Sequence, residues 1–129
     1  DKLQNTLRIL SGLYGIFKPF DEIKPYRLEM GTKLSINGSN NLYDFWNKDV
    51  TNSILKEIKG EDIIVNLASN EYFSVVDSSL IGNTIITPQF KDFKNGVFLI
   101  KFLANVCFLL YRYETYNERL FVVSFGFNS

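Results

Sequence analysis

Leu42, Phe45, Trp46, Val50, Ile54, Leu55 and Ile58 recur at spacings that place them on one face of an α-helix. Asn40 or Asn41 suits its N-cap, Asp44 the positive end of its dipole, and Gly60 its stop. The run "DIIVNLA", Asp62 to Ala68, is β-branched and nearly continuous, the pattern of a central strand buried on both faces. Ser69 then stands as N-cap of a short helix reaching about Val76. "TIITPQF" and "GVFLIKF" flank Asn95-Gly96, the strongest two-residue hairpin signal, and Pro88 demotes the first strand to an edge or a bulge. Residues 103–117 read as a helix with apolar side chains nearly all round. Such a helix is buried or lies against a partner, either a missing half of the domain or another chain.

Toward the start, Leu3, Leu7 and Leu10 give residues 4–10 a weak helical spacing. The glycines of "SGLYG", Ser11 to Gly15, mark a break or a close backbone approach. Pro19 and Pro25 hold the following segment extended or turning. Helix, strand, short helix, hairpin and helix make an α+β fold: a mixed sheet with packed helices, in one domain or part of one over 1–129.

Composition narrows the function classes. The 129 residues are 46% hydrophobic and 22% charged, a globular balance large enough for a core. Fourteen basic and fourteen acidic residues leave no net charge, so anion binding has to come from a local cluster. Histidine is absent, which removes the commonest general base and metal ligand, and no metal or other cofactor site is expected. Cys107 is alone, excluding a disulfide framework, and with no secretory signal it points to the cytoplasm. The run "VFLIKFLANVCFLLY" holds Lys101 and Asn105 and is shorter than the ~18 residues of a membrane span, so it reads as strand then helix. An opening "DKLQNTLRIL" without Met and a closing "FGFNS" both read as cut ends.

At "LRILSGLYGIFKPFDEIKPYRLEMGTKL" the sequence resembles the YaaA-like peroxide-stress proteins of bacteria. Ser11 to Gly15, Lys18-Pro19, Asp21 and Pro25 to Gly31 follow that family's LSGLYG, RP-D and PYRLEMG. "NLYDFW" (Asn41 to Trp46), "NLASNEYF" (Asn66 to Phe73) and "KNG" (Lys94 to Gly96) keep its order and spacing. The resemblance runs over about residues 4–104, so the chain looks like a partial domain from the later half of the family's length. Where relatives continue with two lysines, a small residue, an arginine and a glycine, this chain has Asn105 to Leu109, all uncharged. The resemblance implies a cytoplasmic peroxide-stress protein that binds DNA and limits iron-driven oxidative damage, and it implies no particular reaction. If the lost basic positions touch phosphates in relatives, the salt slope of binding falls by up to about 2.7, and this chain binds duplex DNA more weakly.

The charged and polar residues of these motifs carry two readings each. In an extended "YRLEM", Tyr26, Leu28 and Met30 share one face, and Arg27 and Glu29 the other. Arg27 and Glu29 then form a structural ion pair, or Arg27 offers its fork to a phosphate while Glu29 orients it. Lys18, Lys24, Arg27 and Lys33, with Tyr14 and Tyr26 as stacking aromatics, suit a phosphate backbone; interleaved Asp21, Glu22 and Glu29 suit a solvated face instead. Asn66, Ser69 and Asn70 surround a helix start, either an anion site or simple capping with Glu71 in the first turn. Glu29 and Glu71 are the candidate catalytic carboxylates, and with Asp44 they are the set that convergence would turn into acid–base or hard-metal chemistry. Cys107 fits a buried inert thiol better than a peroxide sensor. Beside the DNA-binding reading stand two others: an enzyme acting on a nucleotide or nucleobase, with Glu29, Asn66, Ser69 and Glu71 lining its pocket, and a truncated copy without independent activity.

Overall fold

The computed structural model describes residues 2–89, 91–94, 97–100 and 120–125. Its strands are β1 (Leu7–Ser11), β2 (Gly15–Phe17), β3 (Ile63–Asn66), β4 (Ile85–Ile86), β5 (Lys91–Lys94), β6 (Val97–Ile100) and β7 (Leu120–Phe125). Its α-helices among the described residues are α1 (Lys2–Thr6), α2 (Leu42–Glu57) and α3 (Asn70–Phe73), and a 3-10 turn spans Ser78–Leu80. Five strands form a mixed sheet in the order β2-β1-β7-β3-β4, while β5 and β6 form a separate ribbon. Within that sheet β1, β7, β3 and β4 run parallel and β2 is antiparallel to β1. The fold is α+β, as the alternation of patterns predicts.

The core lies between the sheet and α2. Leu42, Val50 and Ile54 from the helix meet Leu10, Ile64, Phe121 and Val123 from the strands, closed over by Met30, Tyr72 and Val75. Burying a side chain of this size stabilises the fold by about 1.5–3 kcal/mol. Asn41 caps α2 by accepting from the Asp44 N–H at 2.8 Å. The helix ends at Glu57 with Ile58 already extended, and Gly60 falls in the turn beyond it. That turn is tied by the Asp62 carboxylate, which accepts from the Lys59 N–H, and by the Asn83 amide, which donates to the carbonyls of Lys59 and Asp62. Thr51, absent from the apolar pattern, is also buried: its hydroxyl oxygen accepts from the Asp77 N–H at 3.0 Å.

Three expectations need correction. Residues 4–10 are not one helix: α1 stops at Thr6 and Leu7–Ser11 is a strand flanked on both sides by partners, whose ladder outweighs a weak helical spacing. "TIITPQF" is not the first strand of the hairpin. Ile85 and Ile86 pair in parallel with β3 at the sheet edge, consistent with Pro88 ending the strand, and the hairpin's first strand is Lys91–Lys94. Its register sets Lys94 opposite Val97; the expected Asn95-Gly96 turn lies outside the described residues. Finally, α3 is one turn long, and Ser69 occupies its N-cap without a side-chain bond. The expected helix over 103–117, with Cys107, lies outside the described residues.

Arg8 faces the core at only 2% exposure. Its guanidinium pairs with both oxygens of Glu57, donates to the carbonyls of Gln4 (2.8 Å) and Leu7 (2.7 Å), and lies 5.2 Å from the centre of the Phe121 ring. Burial lowers its pKa from the ordinary value, and the Asp21 charge opposes that fall. Glu57→Ala is expected to destabilise the protein by about 2–3 kcal/mol in urea unfolding, below the fully buried range because the carboxylate is partly solvated. Replacing both partners with Met should recover most of that loss; equal instability of the single and double variants would refute the pairing.

Candidate functional site

Because β1, β3 and β7 are parallel, their carboxyl ends lie on one edge, where sheets of this kind bind ligands. Ser11 ends β1 and Asn66 ends β3. Between β2 and α2 the chain runs from Lys18 to Asn41 without regular structure beyond one bridge, Ile36 to Ser39. It first follows β2 back toward the start of β1, where the Phe20 N–H donates to Gln4 Oε1 at 2.9 Å. It then returns and crosses the carboxyl edge.

Successive contacts pin that crossing. The Lys24 N–H donates to the Tyr14 hydroxyl at 3.1 Å, Tyr26 OH lies 2.5 Å from Ser11 Oγ, and the Tyr14 and Tyr26 rings meet edge to face at 5.6 Å. Leu28 crosses so close to Gly12 that a Cβ there would stand 2.4 Å from the Leu28 carbonyl oxygen. Gly15 is at φ +76°, and a Cβ on it would fall 2.6 Å from the Trp46 ring. The Trp46 indole N–H donates to the Gly12 carbonyl at 2.9 Å. Farther on, the Gly31 N–H donates to Glu71 Oε1 at 3.0 Å, and the Tyr43 hydroxyl donates to the Glu71 carbonyl at 2.7 Å. Motifs far apart in sequence thus meet over one sheet edge.

The alternation read in "YRLEM" holds. Met30 is buried and Tyr26 and Leu28 half-buried, while Arg27 and Glu29 are exposed. Arg27 and Glu29 form no ion pair among the described residues. Lys24 and Lys33 are exposed on the same loop. Lys18 stands apart, half-buried beyond β2, its N–H donating to Asp21 Oδ2 at 2.8 Å. Asn66 is buried: its Oδ1 accepts from the Ala68 N–H at 2.9 Å and its amide donates to Thr87 Oγ1 at 3.4 Å. Ser69 is half-buried, its carbonyl closing α3 from the Phe73 N–H. Asp44 is exposed on the first turn of α2, and among the described residues no three acidic, Cys or His side chains gather as metal ligands. A separate concavity of about 300 Å³ lies on the outer face of α2, lined by Asp49, Asn52, Ser53, Lys56 and Glu57, beside Arg8 and away from the strand ends.

Sequence reasoning does not foresee the Ser11–Tyr26 pair, the Gly31–Glu71–Tyr43 chain or the Trp46–Gly12 bond. Their partners are separated by up to 40 residues, beyond any local period, and the shared membership of quoted motifs is the one signal that joins them.

The described fold and site define a class: an α+β domain whose motif residues lie on a loop strapped across parallel strand ends. The chain belongs to the family described as peroxide stress protein YaaA, whose model matches residues 1–106. A UPF0246 protein of Flavobacterium psychrophilum is 60% identical over 93 residues, 72% of this chain and 37% of the relative. One from Flavobacterium johnsoniae is 53% identical over 105 residues (81% and 42%), and one from Shewanella woodyi 52% over 106 (80% and 41%). The chain spans about two-fifths of the length of these curated relatives.

Burial, and next the Glu71 charge, raise the Tyr43 phenol above its ordinary value. The folded state therefore holds that proton more tightly than the unfolded chain, whose phenol titrates near pH 10. The resulting stabilisation is fully present below that pH and is lost as pH rises through the folded value. Tyr43→Phe is expected to cost about 1 kcal/mol at neutral pH, for the bond to the Glu71 carbonyl, and to flatten the alkaline fall in stability. Urea unfolding from about pH 8 to 11 checks both, and an alkaline limb of unchanged slope would contradict the assignment.

Proposed function

We propose that this chain carries a DNA-contacting surface of a cytoplasmic peroxide-stress protein, with Lys24, Arg27 and Lys33 placed on phosphates along the strapped loop. One observation carries the reading: all three cations are exposed on a segment fixed by Tyr14, Ser11, Gly12 and Glu71, and none is in an ion pair among the described residues. Cations carried on a pinned main chain give a local field on a chain of zero net charge. Lys18, near the opposite end of β1, would reach the backbone of a longer duplex. Phosphates neutralised by the loop release their condensed cations. Iron displaced in this way no longer generates radicals on the DNA, which gives the limiting of iron-driven damage a physical basis. Among the described residues no helix is long and apolar enough to cross a membrane.

An enzyme acting on a nucleotide or nucleobase is the second reading. It is favoured by Glu71, Tyr43, Ser11 and Tyr26 lying on the carboxyl edge of parallel strands. The two readings separate on Glu29→Gln, which a binder tolerates and an enzyme does not; an enzyme would also fail on Glu71→Gln.

Fluorescence anisotropy of a labelled duplex, titrated with the chain at about 50 and 200 mM salt, tests the leading reading. Three phosphate contacts imply a salt slope of about 2.7, hence roughly 40-fold weaker binding at the higher salt. Arg27→Ala and Lys33→Ala should each lower the slope by about 0.9. No binding at either salt would overturn the proposal.

A further inference from the structure

Ser11 Oγ is completely buried and has three polar neighbours. The N–H groups of Leu13 and Tyr14 donate to it at 3.2 and 3.0 Å, and Tyr26 OH lies at 2.5 Å. A hydroxyl oxygen has two lone pairs and one proton. Two incoming N–H groups occupy the lone pairs, so Ser11 donates its proton to the Tyr26 oxygen. Tyr26 is the acceptor in that bond, and its own phenolic proton finds no acceptor among the described residues.

The phenol proton prefers the ring plane, which allows two positions. Ser11 takes one side of the oxygen, so the proton occupies the other. The ring plane itself is held edge-on by Tyr14, whose hydroxyl anchors the Lys24 N–H. Tyr26 is half-buried and edge-packed, so its ring is not a free platform for stacking bases. What it offers is one aimed donor, flanked in the chain by exposed Lys24 and Arg27.

We propose that Tyr26 binds a phosphate oxygen through its hydroxyl proton and that Ser11 is the positioning residue that aims it. The inference rests on the phosphate-binding reading of this loop and assigns it a neutral donor among its cations. A charged acceptor suits such a donor, because hydrogen bonds to ionised groups are about twice as strong as neutral ones.

Tyr26→Phe keeps the ring and removes the donor. It should weaken binding of the labelled duplex about 10-fold at both salts, leaving the salt slope unchanged because a phenol releases no counterion. Arg27→Ala differs by lowering the slope. Ser11→Ala should also weaken binding, but have no further effect in the Tyr26→Phe background; a purely structural role for Ser11 would weaken both backgrounds alike. Thermal unfolding of each variant confirms that it is folded. Wild-type affinity in Tyr26→Phe overturns the inference while leaving the DNA reading intact. If the wild-type chain binds no duplex, the DNA reading falls, and inorganic pyrophosphate replaces the duplex as probe. Binding by the wild type that weakens about 10-fold in Tyr26→Phe then supports the aimed donor. Equal binding by both, or none by either, overturns it.

Discussion

The passage of the Leu28 main chain over Gly12 is the contact on which the rest of the site depends. No side chain fits between them, since a Cβ on Gly12 would lie 2.4 Å from a carbonyl oxygen. That closeness brings Tyr26 down onto Ser11 on one side and carries Gly31 to Glu71 on the other. Trp46 braces the same turn from α2, donating to the Gly12 carbonyl while its ring lies against Gly15. A segment without regular secondary structure is thereby tied to the sheet and to α3 at several points, which sets where its exposed charges emerge.

Two kinds of charge are separated in the molecule. At the start of β1, Arg8 is enclosed by Glu57, two carbonyls and the Phe121 ring, an arrangement that fixes helix to sheet. At the other end of the same strand, Lys24, Arg27 and Lys33 stay in solvent. The buried, bidentate guanidinium is taken up by its contacts between helix and sheet, whereas solvated cations on a pinned loop leave their charge available to a partner. Zero net charge is compatible with a local anion surface when cations are distributed in this way.

Much of the fold is legible along the chain, for reasons that differ by element. Helix α2 announces itself because its apolar side chains face one core, and β3 because it is buried on both faces. Strand β7 is the element that local reading misses: Leu120–Phe125 inserts between β1 and β3, and its place depends on partners more than fifty residues away. Residues 4–10 mislead because a leucine spacing fits a helix while the sheet supplies the better partners. In the site, the alternation of Tyr26, Leu28 and Met30 against Arg27 and Glu29 is readable locally. The inward turn of Asn66 and the separation of Lys18 are consequences of where β2 and β3 end, and no local pattern encodes them.

The central claim is that the strapped loop over the parallel strand ends is the surface that meets phosphate. Backbone amide shifts of the isotopically labelled chain, followed during titration with a short duplex, test it residue by residue. The account predicts that the largest changes fall in residues 11–15, 24–33 and 69–72. Changes confined to the β5–β6 ribbon or to the outer face of α2 from Asp49 to Lys56, with the loop unmoved, would contradict it.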